Sequence, residues 1–248
     1  MNRIKPFVLV TSALPGELAP FTRRLRNRRY VFPGRLNLLE GVLGEDEAAR
    51  DVMVLYTGVG EDVAAKALSK VLLQVTPRLV LISGTAGALT GRAKVGDIIT
   101  ACNHGEESLQ GYLWQIARDR AGPGIKVWHK PLHTAEQVIS GAELRKRVGQ
   151  ETGAFAVDME SAALARVAKE KGLAHAAVRV ISDELNDTMP LQYEIFMKED
   201  GFLSRPRLAG YLLTHPWKTP GLIAAVRQAH DACLVLAGVL EKMILEKA

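Results

Sequence analysis

Short apolar runs, rich in β-branched residues, recur along this chain and restrict its fold more than any other feature. Five such runs occupy residues 7–10, 52–56, 79–82, 97–100 and 176–181. Continuous apolar runs of this length are typical of strands that are covered on both faces. Helical patterns at Glu61–Val75 and Ser161–Lys171 lie between the runs. This alternation predicts an α/β fold with a mainly parallel sheet covered by helices.

The chain has 248 residues, and we expect a single domain over residues 1–248. A C-terminal extension begins at about residue 188, where X–Pro pairs punctuate short segments before a last helix at about 222–245. Residues 103–131 show no clear pattern and are interpreted as an insertion or a long loop. Because there is no unbroken apolar stretch of ~20 residues, we expect no membrane span.

The composition excludes several classes of protein and of site. Hydrophobic residues make up 48% of the chain and charged residues 24%, as is typical of a globular protein. The formal net charge of +5 is too small to indicate a nucleic-acid partner. Cys102 and Cys233 stand far apart without a CxxC motif, which favours a reducing, cytoplasmic compartment. The six histidines show no HExxH-like pairing, so we predict no metal site, and we expect no cofactor.

Candidate functional residues follow two of the predicted strands, at the strand ends where open α/β sheets bind ligands. Glu17 comes after the first strand, just beyond Pro15-Gly16. Taken alone, it is explained as an acid favoured at a helix N-terminus. Thr85 and Gly87 belong to the Ser83–Ala88 turn. Small residues there allow backbone N–H groups to approach a ligand closely, although a tight turn explains the glycines equally well.

A further pair of segments carries the most specific pattern. Met159 and Glu160 stand at the start of a predicted helix, and Arg179, Ser182 and Asp183 end the next strand. The pair suits a nucleoside: Glu160 accepts hydrogen bonds from both ribose hydroxyls, Met159 packs on the sugar, and Asp183 acts on the base. The alternative is an acidic helix start together with a strand-end acid that pairs with Arg179.

Together these segments resemble the purine nucleoside phosphorylase / methylthioadenosine–adenosylhomocysteine nucleosidase superfamily. The resemblance runs over residues 7–187 and includes Thr57-Gly58-Val59-Gly60 before a helix. It implies a three-layer α/β/α fold with a mixed central sheet and a site at the strand ends. It also implies cleavage of the N-ribosidic bond of a purine nucleoside, with adenine as the expected base, by a homo-oligomer.

Hydrolysis and phosphorolysis remain alternatives within this superfamily. Its phosphorylases commonly hold phosphate with an arginine three residues before the hydroxyl of the Gly-Ser/Thr turn, and here that position is Ile82. An apolar side chain supplies no charge-assisted hydrogen bond to phosphate. The nucleosidase branch instead has a glutamate after the first strand, where Glu17 stands. The resemblance therefore favours water as the nucleophile.

The resemblance also implies a division of roles among the site residues. Asp183 would protonate the purine at N7, Glu160 would hold the ribose, and Glu17 would activate water. Arg179 would orient Asp183 or pair with another acid, and Ser182 would hydrogen-bond nearby. In the nucleosidases an aromatic residue after a Ser-Gly pair stacks on the base. Here we expect Leu144 to take the place of this aromatic residue, which leaves the base and the 5′ substituent open.

Other interpretations remain to be tested. The segment Leu185–Pro190 and the extension resemble the hopanoid-biosynthesis nucleosidase branch, which acts on the lipid-bearing nucleoside adenosylhopane. Contact with a membrane surface is a related hypothesis, since the basic run at residues 23–29 matches anionic headgroups or is a solvated helix face and loop. A nucleotide-dependent oxidoreductase is disfavoured because Val63 replaces the third glycine of its fingerprint. A non-catalytic nucleoside-binding protein is the remaining alternative.

Overall fold

The predicted strands lie in a ten-stranded mixed sheet in a computed structural model of the chain, which describes residues 7–31, 37–188 and 193–247. The strands are β1 (Phe7–Ser12), β2 (Arg26–Val31), β3 (Leu38–Leu43), β4 (Arg50–Tyr56), β5 (Leu79–Ala88), β6 (Ile98–Gly105), β7 (Val127–Lys130), β8 (Leu132–Thr134), β9 (Ala156–Asp158) and β10 (His175–Asp183). The α-helices are α1 (Pro15–Thr22), α2 (Glu61–Leu72), α3 (Glu107–Arg120), α4 (Ala142–Thr152), α5 (Ser161–Glu170), α6 (Arg205–Thr214) and α7 (Thr219–Lys247). The five runs predicted as strands correspond to β1, β4, β5, β6 and β10. The expected turn at Ser83–Ala88 is wrong: β5 continues through these residues, where it pairs with β10 and β9.

Four parallel strands form the centre of the sheet in the order β4-β1-β5-β10. Antiparallel neighbours, β3 beside β4 and β6 beside β10, make the sheet mixed. The short strand β9 pairs with the last residues of β5. Since parallel strands end at the same edge, the carboxyl ends of β1, β5 and β10 lie together. Of the predicted site residues, Glu17 follows the end of β1, Thr85 and Gly87 lie near the end of β5, and Asp183 is the last residue of β10.

Helices cover both faces of the sheet. Val8 and Val10 of β1 face an apolar cluster formed with α1, α3 and α7, whereas Phe7 and Leu9 face a second cluster formed with α2 and α5. This alternation is the two-residue period of a strand that is buried on both sides. The predicted three-layer α/β/α architecture with a mixed central sheet is confirmed.

Residues 103–131 do not form the long loop suggested by the sequence. They contain the end of β6, the helix α3 and the strand β7. Leu109, Leu113 and Ile116 are buried on the inner face of α3, at the spacing of an amphipathic helix. This apolar spacing is present in the sequence, but the many polar residues between the three positions make it difficult to recognise.

The basic run at residues 23–29 lies at the end of α1 and along β2 rather than on a helix face. In the described part of the chain, β2 is an outermost strand of the sheet, and its residues up to Tyr30 are exposed. Charged side chains on an edge strand oppose pairing with a strand of another molecule. Protection of the sheet edge therefore accounts for the basic residues of β2.

The C-terminal part contains two different kinds of helix. No residue of α6 is buried, whereas α7 packs Leu236, Leu240, Met243 and Ile244 into the core. By length and composition alone, Pro216–Glu246 is also apolar enough to cross a membrane, a feature that the sequence analysis did not anticipate; 33% of its most apolar window is buried in the protein. Of the predicted X–Pro breaks, Met189-Pro190 lies outside the described residues.

Candidate functional site

Glu17 is held by four hydrogen bonds where β1 and β5 end. The turn after β1 starts α1 at Pro15 and places Glu17 in its first turn. Its Oε2 accepts hydrogen bonds from the Ser12 hydroxyl at 2.6 Å and the Leu14 amide at 3.0 Å. Its Oε1 accepts from the amide of Thr85 at 2.9 Å and from the hydroxyl of Thr85 at 2.6 Å. Thr85 therefore serves to fix the carboxyl group of Glu17.

Glu160 lies in a buried group of charges beside the end of β9. Its Oε1 accepts a hydrogen bond from the Gly60 amide at 3.0 Å, and its Oε2 lies 3.5 Å from the Nη2 of Arg179. The same Nη2 lies 2.5 Å from the Oδ2 of Asp158, and the guanidinium also donates to the Ser161 hydroxyl. Arg179 thus binds two carboxyl groups beneath the site.

The position of Arg179 decides between two alternatives left open by the sequence. We expected this arginine either to orient Asp183 or to pair with another acid, and its carboxyl partners in the described part of the chain are the buried Asp158 and Glu160. Arg179 precedes Asp183 by four residues on β10, a separation of ~13 Å along an extended strand. A guanidinium bound to Asp158 cannot bridge that distance.

Gly84 allows Arg179 and Glu17 to approach each other. Its backbone has φ +133°, and a Cβ atom there would lie 2.5 Å from the Nη1 of Arg179 and 3.1 Å from the Oε1 of Glu17. A side chain at this position would therefore separate the two charged groups. The carboxyl groups of residues 17, 158 and 160 consequently surround one guanidinium.

Burial is the largest influence on the acidity of Glu160. The pKa of Glu160 is raised to about 8: burial is the main cause, the charges of Asp158 and Glu17 also raise the pKa, and Arg179 lowers it. Three carboxyl groups around one arginine leave an excess of negative charge, which explains why the pKa of Glu160 lies above its usual range.

Asp183 ends β10 directly beside Gly87 of β5. Its Oδ1 accepts a hydrogen bond from the Ser182 hydroxyl at 2.7 Å, and its Oδ2 forms an ion pair of 2.6 Å with the Nη1 of Arg145. A Cβ atom on Gly87 would lie 2.9 Å from this Oδ2. Gly87, predicted as a substrate-binding residue, thus provides the space in which the Asp183 side chain lies.

The structure brings most of the predicted residues to one edge of the sheet. Thr85 and Gly87 are two residues apart on β5 and so share a face, with Glu17 bonded to the first and Asp183 packed against the second. Met159 is half-buried beside Glu160. Leu144 differs: it is 44% exposed on α4, and nothing in its surroundings supports a place in the group.

Arg145 is a site residue that the sequence analysis missed. It follows Leu144 on α4, 38 positions before Asp183, and no local pattern connects the two. The described residues hold no group of three or more His, Cys, Asp and Glu side chains suited to a metal ion. The chemistry available at this edge is that of carboxyl groups, hydroxyl groups and two buried arginines.

The chain matches a protein family model and is similar to several solved structures. A family model described as the phosphorylase superfamily matches residues 7–201. The chain is similar to the futalosine hydrolase of Helicobacter pylori, with 18% identity over 97% of this chain and 98% of that one and a TM-score of 0.70.

Two nucleosidase structures are similar as well. For the 5′-methylthioadenosine/S-adenosylhomocysteine nucleosidase of Neisseria meningitidis in complex with methylthio-immucillin-A, the identity is 17% over 96% of this chain and 99% of that one, with a TM-score of 0.70. For the nucleosidase of Colwellia psychrerythraea in complex with adenine, the identity is 18% over 72% of this chain and 83% of that one, with a TM-score of 0.64. At these identities the likeness establishes a shared fold.

Proposed function

The chain belongs to the phosphorylase superfamily, and from this premise we propose that it hydrolyses the N-ribosidic bond of a purine nucleoside, with adenine as the base. The observation that carries the proposal is the grouping of Glu17, Glu160 and Asp183 at the ends of β1, β5, β9 and β10. The names of the similar structures, a futalosine hydrolase and nucleosidases, support hydrolysis. The complex of one of them with adenine supports the base.

In the proposed mechanism each carboxyl group has one task. Asp183 donates a proton to N7 as the bond between C1′ and N9 breaks, so that the base leaves neutral. Glu160 binds the ribose hydroxyls close to the positive charge that develops on the sugar ring. Glu17, fixed by Thr85 and Ser12, orients a water molecule and accepts its proton as the water attacks C1′.

The surroundings of Glu17 support water rather than phosphate as the nucleophile. Ile82 is fully buried in the apolar cluster under α2 and α5 and presents no charge to the site. Arg179 is committed to Asp158 and Glu160. Among the residues that the structure describes, a phosphate ion beside Glu17 would meet a carboxyl group in place of a free cation, and like charges repel.

A panel of nucleosides, each incubated with and without phosphate, tests the proposal. We expect an adenine nucleoside to give free adenine and a free ribose product at equal rates with and without phosphate, measured by chromatography. The Asp183→Asn variant, purified in the same way, controls for contaminating enzymes. A ribose 1-phosphate product that forms only with phosphate would establish phosphorolysis. Binding of nucleosides without turnover would instead establish a non-catalytic binding protein.

Three further proposals concern partners and location. We propose that the chain is a single domain, that it forms a homo-oligomer and that it acts in the cytoplasm. Support for the cytoplasm comes from Cys102 and Cys233, which are free thiols in the described structure. The homo-oligomer rests on the resemblance to the superfamily.

We also propose that a surface formed by α6 and α7 contacts anionic membranes. This α6–α7 surface exposes Leu213, Trp217 and Val226 to 84%, 68% and 58%. Residues 203–230 include no Asp or Glu, and their cations are Arg205, Arg207, Lys218 and Arg227. In a two-fold dimer formed through this surface, the cations of one copy would face those of the other. Repulsion between these like charges would oppose such a dimer. Apolar side chains among cations suit an anionic lipid surface.

Vesicle sedimentation tests this contact. We expect the protein to sediment with vesicles of 30 mol% phosphatidylglycerol in phosphatidylcholine, and not with phosphatidylcholine alone. The double variant Leu213→Ser/Trp217→Ser should lose the binding because it removes the two most exposed apolar side chains of the surface. Leu73→Ser, which changes an exposed leucine after α2, is the matched control. Absence of sedimentation, or unchanged sedimentation of the double variant, would contradict the proposal.

A further inference from the structure

Arg145 is a buried arginine to which the proposed mechanism gives no role. It lies in the first half of α4, and its side chain is 3% exposed. Its Nε donates a hydrogen bond to the Ile139 carbonyl at 3.0 Å, and its Nη1 donates to the Glu184 carbonyl at 2.9 Å. The Nη1 also lies 2.6 Å from the Oδ2 of Asp183.

These contacts hold the guanidinium of Arg145 in one orientation. Removing a charge from water is costly and is tolerated only where the charge is paired and hydrogen-bonded. Two backbone carbonyl groups fix the guanidinium plane, one from the loop before α4 and one from the residue after Asp183. The interaction with Asp183 is then an ion pair whose geometry the backbone sets.

The guanidinium approaches Asp183 from the protein side. The Asp183 side chain is 19% exposed, several times more than that of Arg145. The Ser182 hydroxyl occupies Oδ1 and Gly87 leaves room for Oδ2. Arg145 and Ser182 together thus fix the rotation of the carboxyl group, while its exposed part stays available to a base.

We propose that Arg145 is a positioning residue for Asp183, which it orients and whose carboxylate form it stabilises as the proton leaves. The inference rests on the proposed function. The step concerned starts from the protonated carboxyl form of Asp183: the proton moves from Asp183 to N7 of the purine, the C1′–N9 bond breaks, and its electron pair passes into the purine ring. Asp183 remains as a carboxylate, and the positive charge of Arg145 at 2.6 Å stabilises it. Arg145 acts on the leaving group through Asp183 and does not contact the substrate.

Substitution of Arg145 by methionine and by lysine tests this role. We expect Arg145→Met to lower kcat by about 10- to 100-fold while KM changes by less than about threefold, because transition-state rather than substrate interactions are lost. The pH profile of kcat should also differ from that of the wild type, because the variant lacks the cation beside the proposed acid. Arg145→Lys keeps the charge but not the planar fork, and should retain more of kcat and a pH profile closer to that of the wild type.

Arg147→Met is the matched control, since it makes the same change at an exposed position of the same helix. It should leave kcat and the pH profile unchanged. A double-mutant cycle separates positioning from general stability: in the Asp183→Asn background, Arg145→Met should have little further effect on kcat. If it lowers kcat in that background as much as in the wild type, Arg145 has only a structural role and the inference is wrong.

The remaining outcomes are also decisive. A folded Arg145→Met variant with wild-type kcat and pH profile overturns the inference, with folding judged from circular dichroism and the unfolding midpoint. If the methionine variant does not fold, Arg145→Gln takes its place because it also removes the charge, and unchanged kcat in that variant overturns the inference. Failure of the wild type to cleave any nucleoside contradicts the proposed function instead, so the two failures are distinguishable.

Discussion

The Asp183→Asn variant is expected to cleave nucleosides about 10²- to 10⁴-fold more slowly than the wild type, the usual contribution of a general acid. An amide keeps the size of the side chain and still accepts the hydrogen bond from Ser182, but it has no proton to give to N7. We expect most of the loss in kcat, measured from initial rates of base release at saturating substrate.

Two controls make this result specific to the acid. Asp119→Asn changes an exposed aspartate of α3 and should leave the rate unchanged. The unfolding midpoint of Asp183→Asn must also be measured, because the substitution leaves the buried guanidinium of Arg145 without its carboxylate partner, which is costly. A folded Asp183→Asn variant with wild-type kcat would show that another group protonates the base.

The Glu17→Gln variant is expected to lose a similar factor, about 10²- to 10⁴-fold in kcat, because it removes the proposed base. The amide also disturbs the group that positions the water. The carbonyl oxygen of the glutamine accepts hydrogen bonds either from the Ser12 side or from the Thr85 side. Its NH₂ group would then face hydrogen-bond donors on the opposite side. Single-turnover measurements of base release would show whether the chemical step is the one that slows.

Glu107→Gln is the matched control for Glu17→Gln, since Glu107 is an exposed glutamate in the first turn of α3. It should have wild-type kcat. A Glu17→Gln variant that retains wild-type kcat in phosphate-free buffer would remove Glu17 from the mechanism. A variant impaired in water but active with phosphate would instead point to phosphorolysis.

The sequence predicted those parts of the fold and site that depend on local patterns. The central strands are buried on both faces, so their apolar runs are continuous and readable. The positions of Glu17, Glu160 and Asp183 followed from the rule that ligands bind at strand ends and from the resemblance to the superfamily. The residues that hold these acids, such as Thr85 under Glu17, became clear only from contacts between strands.

Features that depend on long-range pairing were not predicted. For Arg179 the sequence left open whether it orients Asp183 or pairs with another acid; the extended strand keeps Arg179 and Asp183 apart, and Asp158 binds the guanidinium. Arg145 is distant from Asp183 in sequence, and only the packing of α4 against the end of β10 brings the two together. β2 was missed because an exposed edge strand lacks the apolar run by which the central strands are recognised.

The position of α7 limits where this chain can be divided. The region matched by the family model stops at residue 201, yet Leu236, Leu240 and Ile244, beyond that boundary, fill the apolar layer against α1 and α3. Gln228 of the same helix donates a hydrogen bond to the Ser182 carbonyl at 3.1 Å, beside the proposed acid. A fragment truncated at residue 201 would uncover one face of the sheet and release the backbone that carries Asp183, so the boundary of the family model is a poor guide to an autonomous catalytic unit.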